Sequence, residues 1–369
     1  MPENKRVKES KVRQFTYILD DNAYFAFLYS RLIKKTLQED SSSKHIIYPC
    51  YGVRFKECTR SKYPVWAKKL QINILYAWGE YKRHRRTKSL LCSELSKEEL
   101  KNVSFTSVHT WFFYLLLAFI QYNNEYGHIK EKGISNEFVN TTFNGILIGD
   151  LLIDTYLRYS GNPKFNSEDD FNYGIALRAR ALQLMYSSRL DRNGYILTGF
   201  STYIQHGLPL RVGLSKDNLG ITFGDYQLFC KLHKLDKDRR PSHLRSHYKY
   251  DINIAKKTLD STVVSAAEKS LKSRVHGIYD NTMAYMSKNL STGSYSKKGD
   301  LRGKTVIYLH DFFDSPHAYE WMLFIDFWDW SYSTLNFCVQ NGIEISVKPH
   351  PNQVPGNQEA ISALMNIFS

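Results

Sequence analysis

The sequence predicts an α/β chain of about two domains, with a parallel sheet taking shape near its C-terminus. Three observations lead there. Thr305 to Leu309 is a β-branched and apolar run, the residue choice of a strand buried on both faces. The segment that follows carries Trp321, Phe324, Ile325, Trp328 and Leu335 at helical spacing and stops at Asn341-Gly342. Ile343 to Val347 is then a second strand. Strand, helix, strand is the unit from which parallel sheets are built. Its polar clusters fall where the strands end: His310, Asp311, Asp314 and His317 after the first, Lys348-Pro349-His350-Pro351 after the second. Open α/β sheets bind ligands at those carboxyl ends.

Composition sets the bounds. The chain has 369 residues, 43% of them hydrophobic and 14% aromatic, enough to fill large cores and to exclude a disordered chain. A formal charge of +14 calls for acidic partners, whether nucleotide-linked substrates, anionic lipid headgroups or nucleic acid. No helix-turn-helix, RNP-like or zinc-finger pattern supports nucleic acid, and none is expected as a partner. The five cysteines are odd in number and widely spaced, which argues against zinc and for reduced thiols. The N-terminal stretch MPENKRVKESKVRQ lacks the apolar core of a signal peptide, so the expected place is cytoplasmic.

In chain order, residues 15 to 37 read as one amphipathic helix, followed by a short strand at His45 to Tyr48. Tyr63 to Glu80 reads as helix and leads into the densest positive run, Tyr81 to Lys88, either a solvated helix end or a dock for membrane or polyanion. Trp111 to Tyr122 is the most hydrophobic segment. It is too short to span a bilayer and is read as a buried helix, with a helix lying in the membrane interface as the alternative. Ile146 to Ile148 is apolar and precedes a helix on which Asp150, Asp154 and Arg158, four apart, share a face. The bland account of that face is an Asp cap with an i, i+4 ion pair. Asn172 to Leu190 reads as a helix and Gly194 to Thr198 as a strand, followed by a loop and helix from Ser201 to Arg211. There Gly207 would let backbone approach a ligand, with His206 as proton acceptor and Arg211 as positive charge. Residues 231 to 250 are expected to be a basic, mobile surface loop, whose His243 and His247 lack a third metal ligand. Residues 251 to 289 carry a helical period, and Ser291 to Asp300 is a linker of small and charged residues. The expected domains are therefore residues 1–290, helix-rich, and 301–369, the start of a sheet.

The clusters His310-Asp311, Asp314-Ser315-Pro316-His317 and Lys348-Pro349-His350-Pro351 resemble the nucleotide-binding half of bacterial surface-polysaccharide glycosyltransferases of capsule and lipopolysaccharide synthesis, which have the GT-B fold. The Gly149-Asp150-x-x-x-Asp154-x-x-x-Arg158 segment and the stretch Tyr203-Ile204-Gln205-His206-Gly207 through Arg211 are similar to segments in the N-terminal half of such enzymes. The resemblance implies an α/β, GT-B-like two-domain architecture: a helix-rich acceptor-side domain and an incomplete Rossmann-like domain. It implies metal-independent transfer of a sugar from a nucleotide-sugar donor, with CMP-linked donors the first guess, to a polysaccharide or lipid-linked acceptor. Peripheral contact with an anionic membrane, at the inner face of the cytoplasmic membrane, is expected. Lys348, His350, His310 and His317 would hold the donor's phosphate; Asp311, Asp314 or His206 would be the base; Asp150, Asp154, Arg158 and Arg211 would line the cleft. No metal ligand and no cofactor beyond the donor are expected. The chain stops before the second phosphate loop and ribose-binding carboxylate of those families, so it is read as a fragment of a longer protein, with loss of donor binding as the alternative. A basic membrane- or polyanion-binding protein, or a pseudo-enzyme partner in polysaccharide assembly, is the competing function.

Overall fold

The computed structural model describes residues 13–19, 23–49, 74–122, 136–166, 170–223, 230–233, 260–275, 305–319, 323–350 and 356–368. The linker at 291–300, the basic segment 234–250 with His243 and His247, and the tetrapeptide's Pro351 lie outside them.

Among the described residues the central sheet has six strands: β1 (Gln14–Leu19), β2 (Lys44–Pro49), β3 (Val103–Phe105), β6 (Tyr195–Thr198), β7 (Leu219–Phe223) and β8 (Cys230–His233). Their order is β3-β2-β1-β6-β7-β8, parallel except that β8 runs antiparallel to β7. Counted in chain order these strands lie 3-2-1-4-5-6, the doubly wound arrangement. Its direction of winding reverses between β1 and β6.

Alternation along β1 and β2 sorts side chains to the two faces. Tyr17, Leu19 and Ile47 join the core against α1 (Ala23–Glu39) and the end of α2 (Ile74–Cys92). Ile18 and Tyr48 join the larger core on the opposite face. That core is built by α3 (Val108–Tyr122), α4 (Gly149–Ser160), α5 (Asp170–Arg189) and α6 (Leu208–Ser215). A hairpin, β4 (Thr142–Phe143) and β5 (Ile146–Leu147), turns at Asn144-Gly145, both in the left-handed region, and feeds α4. Helix α7 (Ser261–Val275) stands between the two parts of the chain in sequence.

The C-terminal part is the expected βαβ unit. β9 (Thr305–Tyr308) pairs in parallel with β10 (Ile345–Lys348), joined through α8 (Phe327–Gln340), and α9 (Asn357–Ile367) closes its core. Helix α8 begins at Phe327, where the Asp326 carboxylate caps it by accepting from Asp329 N–H at 2.7 Å, and Trp321 lies outside the described residues.

Several expectations are corrected. Residues 15–37 are not one helix: Phe15 to Leu19 are buried strand, since a central strand accepts aromatic and β-branched side chains on both faces. The N-terminal part is therefore a sheet with helices on both faces, not merely helix-rich. The basic run is not a helix end but lies inside α2, which continues to Cys92. Residues 231–233 belong to β8 rather than to a surface loop. Helix α3 buries Trp111, Leu115 and Ala118 yet leaves an apolar stripe in solvent, so it is only half a core helix.

Candidate functional site

Helix α4 supplies the acidic side of the site. Its first residue must be glycine, because a Cβ on Gly149 would stand 1.8 Å from the carbonyl oxygen of Phe138. Asp150 and Asp154, one turn apart, are both buried. Arg211 of α6 donates Nη1 to Asp150 Oδ1 and Nη2 to Asp150 Oδ2, each at 2.7 Å, and Nη1 also reaches the carbonyl of Leu147 at 2.7 Å. This fork-to-carboxylate pair fixes where α6 sits on α4. Asp154 does not form the anticipated i, i+4 pair with Arg158. Its partner is His317: Oδ1 lies 2.8 Å from His317 Nδ1 and also accepts the His317 backbone N–H at 3.4 Å.

The chain leaves β6 at the winding reversal and enters a π-helical turn, Tyr203–Gly207. Thr155 of α4 positions it, donating to the Leu151 carbonyl at 2.6 Å while accepting from Ile204 N–H at 3.0 Å. Gln205 Nε2 donates to the Tyr159 hydroxyl at 2.7 Å. Tyr203 opens the turn with φ of 57°, a left-handed conformation unfavourable for so bulky a residue. Its hydroxyl donates to Asp314 Oδ1 at 3.3 Å. His206 is buried with Phe200 edge-on to its ring, centroids 5.4 Å apart. Tyr203 and Asp154 reach the loop from His310 to His317, while Arg211 is engaged with Asp150 and the Leu147 carbonyl. Gly207 is needed for close packing of the turn on its own chain, since a Cβ there would meet Ser201 O at 2.5 Å and Leu151 Cδ2 at 2.6 Å.

The loop after β9 completes the arrangement. His310 stacks on Phe327 at 4.4 Å and stands 5.3 Å from the ring of His350, so the ends of β9 and β10 bring two imidazoles together. Asp311 Oδ1 accepts from Phe313 N–H at 2.9 Å, holding the loop's own turn. Asp314 Oδ1 also accepts Ser315 N–H at 3.1 Å. Lys348 is exposed, its ammonium 5.5 Å from the Tyr308 ring centre. Behind these, Asp326 ties the unit to the rest of the protein by accepting Phe165 N–H at 3.1 Å.

The structure thus gathers Asp154, Tyr203, Asp314 and His317 at one junction, sets His310 and His350 together, and locks Asp150 to Arg211 one turn away. Arg158 is half-buried and close enough to favour the Tyr203 phenolate, although burial dominates and pushes that hydroxyl up. Burial likewise pushes the Asp154 carboxyl up against the pull of His317. A carboxyl and an imidazole that share a proton at 2.8 Å can accept or release one at the second ring nitrogen. Tyr203 and Thr155 were missed as site residues; the only sequence signal was their place beside Asp154 and His206.

Among the described residues no group of three or more His, Cys, Asp or Glu is placed to hold a metal ion. No described helix is long and apolar enough to cross a membrane. Comparison with protein-family models, curated proteins and solved structures returned no match.

Proposed function

We propose that the protein is a metal-independent glycosyltransferase of two-domain, GT-B-like architecture, moving a sugar from a nucleotide-sugar to a surface-polysaccharide acceptor at the inner face of the cytoplasmic membrane. One observation carries the reading. The Tyr203–Asp314 contact brings the loop after β6, at the winding reversal, and the Asp154–His317 contact brings α4, against the loop after β9. Two parallel sheets then present their ligand-binding ends to one another, as an enzyme joining two substrates requires.

The chemistry divides between those ends. When the acceptor hydroxyl attacks the anomeric carbon, the bond to the donor phosphate breaks and negative charge grows on the departing phosphate. His310 and His350, with Lys348 beside them on β10, are the donors suited to that charge. The acceptor's proton must pass to a base. Asp311 and Asp314 each already accept a backbone N–H, so His317, backed by Asp154, is a better candidate for the base than for the phosphate ligand that the resemblance implies.

The test is calorimetric titration of the wild type and His350→Ala with CMP, CDP and UDP. One charge-assisted contact contributes about 1.5 to 3 kcal/mol, so affinity should fall roughly tenfold to a hundredfold. Equal affinity of both proteins for every nucleotide would remove His350 from the site.

A further inference from the structure

Helices α1 and α2 lie side by side on the face of the sheet opposite α4, both packed on the core of Tyr17, Leu19 and Ile47. Register sets their relative heights. Phe105 of β3 pairs with Ile47 of β2, and Ile47 with Tyr17 of β1. Lys88 of α2 holds its ammonium 5.2 Å from the Phe105 ring centre, while Tyr29 of α1 sets its ring 5.1 Å from that of Tyr17. The turn of α1 from Phe27 to Arg31 therefore stands level with Lys88 on the neighbouring helix. The outward sides of both helices are basic. Arg31, Lys35, Arg85 and Lys88 are exposed and have no carboxylate partner among the described residues, with Lys34 half-buried beside them. Neither Ala23 to Gln38 nor Tyr81 to Cys92 contains Asp or Glu. Among the described residues three of these cations rest on aromatic rings: Arg31 over Phe27 at 5.1 Å, Arg85 over Tyr81 at 6.0 Å, and Lys88 over Phe105. A cation already held on a ring gives up less freedom when an anion arrives.

We infer that this face of α1 and α2 holds an acidic polysaccharide, one with anions recurring along its chain. The ligand class rests on the transferase reading, in which the polymer is the body of the acceptor and the face lies apart from the reacting end. Charge complementarity selects an anionic chain, since cations four apart recur about every 6 Å along each helix with no acid between them. Single-stranded nucleic acid fits less well, because it binds by stacking bases on open rings, and here the rings already carry a guanidinium or an ammonium. A lipid bilayer needs an apolar face to enter, whereas the exposed large apolar side chains of these two helices, Phe27 and Tyr81, each lie beneath a guanidinium.

Fluorescence anisotropy of a labelled oligogalacturonate with the full chain, without nucleotide, tests it. The probe should bind, release with salt, and resist competition by a neutral dextran of the same length. Combining Arg31→Gln, Lys35→Gln, Arg85→Gln and Lys88→Gln should weaken binding by about tenfold or more. Combining Lys164→Gln, Arg192→Gln, Lys269→Gln and Lys272→Gln removes as much charge elsewhere and should leave affinity within about twofold. Both variants should melt with the wild type, because all eight side chains are exposed. Equal weakening by the two sets would mean that net charge alone attracts the probe, and would overturn the proposal. So would the absence of binding, or tighter binding of an oligothymidylate carrying the same number of charges. No donor is present in this assay, so its outcome is separate from the nucleotide titration of His350→Ala: a failure there with binding here would leave a polysaccharide-binding face without the transferase.

Discussion

Asp154 and His317 are separated by 163 positions in the chain and meet at 2.8 Å, both buried. Each belongs to a different α/β unit, so the pair exists only when the loop after β9 rests on α4. Removing one partner strands the other in a dry place, which typically costs about 3 kcal/mol or more, whereas removing both is far milder. In urea unfolding, Asp154→Asn and His317→Ala should therefore each destabilise the protein, and the double variant should cost clearly less than the sum of the two. A coupling energy near zero in that cycle would mean the contact does not form in solution.

Arg211 should tolerate no cationic replacement. Lysine keeps the charge but cannot satisfy both Asp150 oxygens and the Leu147 carbonyl in one plane. Arg211→Lys is expected to lower stability by about 2 kcal/mol. A melting temperature equal to wild type would show that the fork contributes nothing beyond its charge.

What the sequence made legible here was local. The acidic face of α4 could be read from a spacing of four, β9 from an apolar run, and β10 from the two Ile and the Val of residues 343–347 just past the Asn341-Gly342 stop. The partners could not: Arg211 lies 61 positions from Asp150, and nothing in one sequence couples them. β1 was lost inside a helix because QFTYIL and the aromatic start of α1 share a composition, separated only by the polar Asp20-Asp21-Asn22. With β1 missed, the reversal of winding between β1 and β6 was missed as well. The composition of the N-terminal part therefore predicts a helix-rich domain where the fold is a doubly wound sheet.

Acid should weaken the protein through His45. Its ring is buried in β2, with Nδ1 3.1 Å from the Tyr17 hydroxyl and Nε2 3.0 Å from Ser43 Oγ, and burial pushes its pKa down to about 4. The folded pKa is lowered, so the unfolded chain takes up a proton first. Stability is complete above the ordinary histidine value and is lost as pH falls from about 6.5 towards about 4, by roughly 2 to 3 kcal/mol. Asp154 and Asp326, whose folded values burial raises, act in the opposite sense, so the informative quantity is a difference. Urea midpoints of wild type and His45→Gln should diverge at pH 7.5 and converge at pH 5. Parallel midpoints across that range would show that His45 does not titrate with folding.

Gly207 and Gly342 separate two reasons for needing glycine. Gly342 has φ of 63° with open space around its missing Cβ, so Gly342→Ala should cost only the left-handed backbone penalty, about 1 kcal/mol. Gly207 begins from helical backbone, φ −67°, with no such penalty, yet an added Cβ would stand 2.5 Å from the backbone oxygen of Ser201. That oxygen belongs to the loop between β6 and the π-helical turn and cannot step aside as a flexible side chain can. Relief must move the turn off α4, stretching the Ile204 to Thr155 hydrogen bond and drawing Tyr203 away from Asp314. Gly207→Ala is therefore expected to cost about 3 kcal/mol, at the upper end for overpacking. Amide exchange should quicken across residues 203–207 and 312–317 together, because the two loops share that contact. Faster exchange in the turn alone, with the second loop unchanged, would show that the junction does not depend on how closely Gly207 packs.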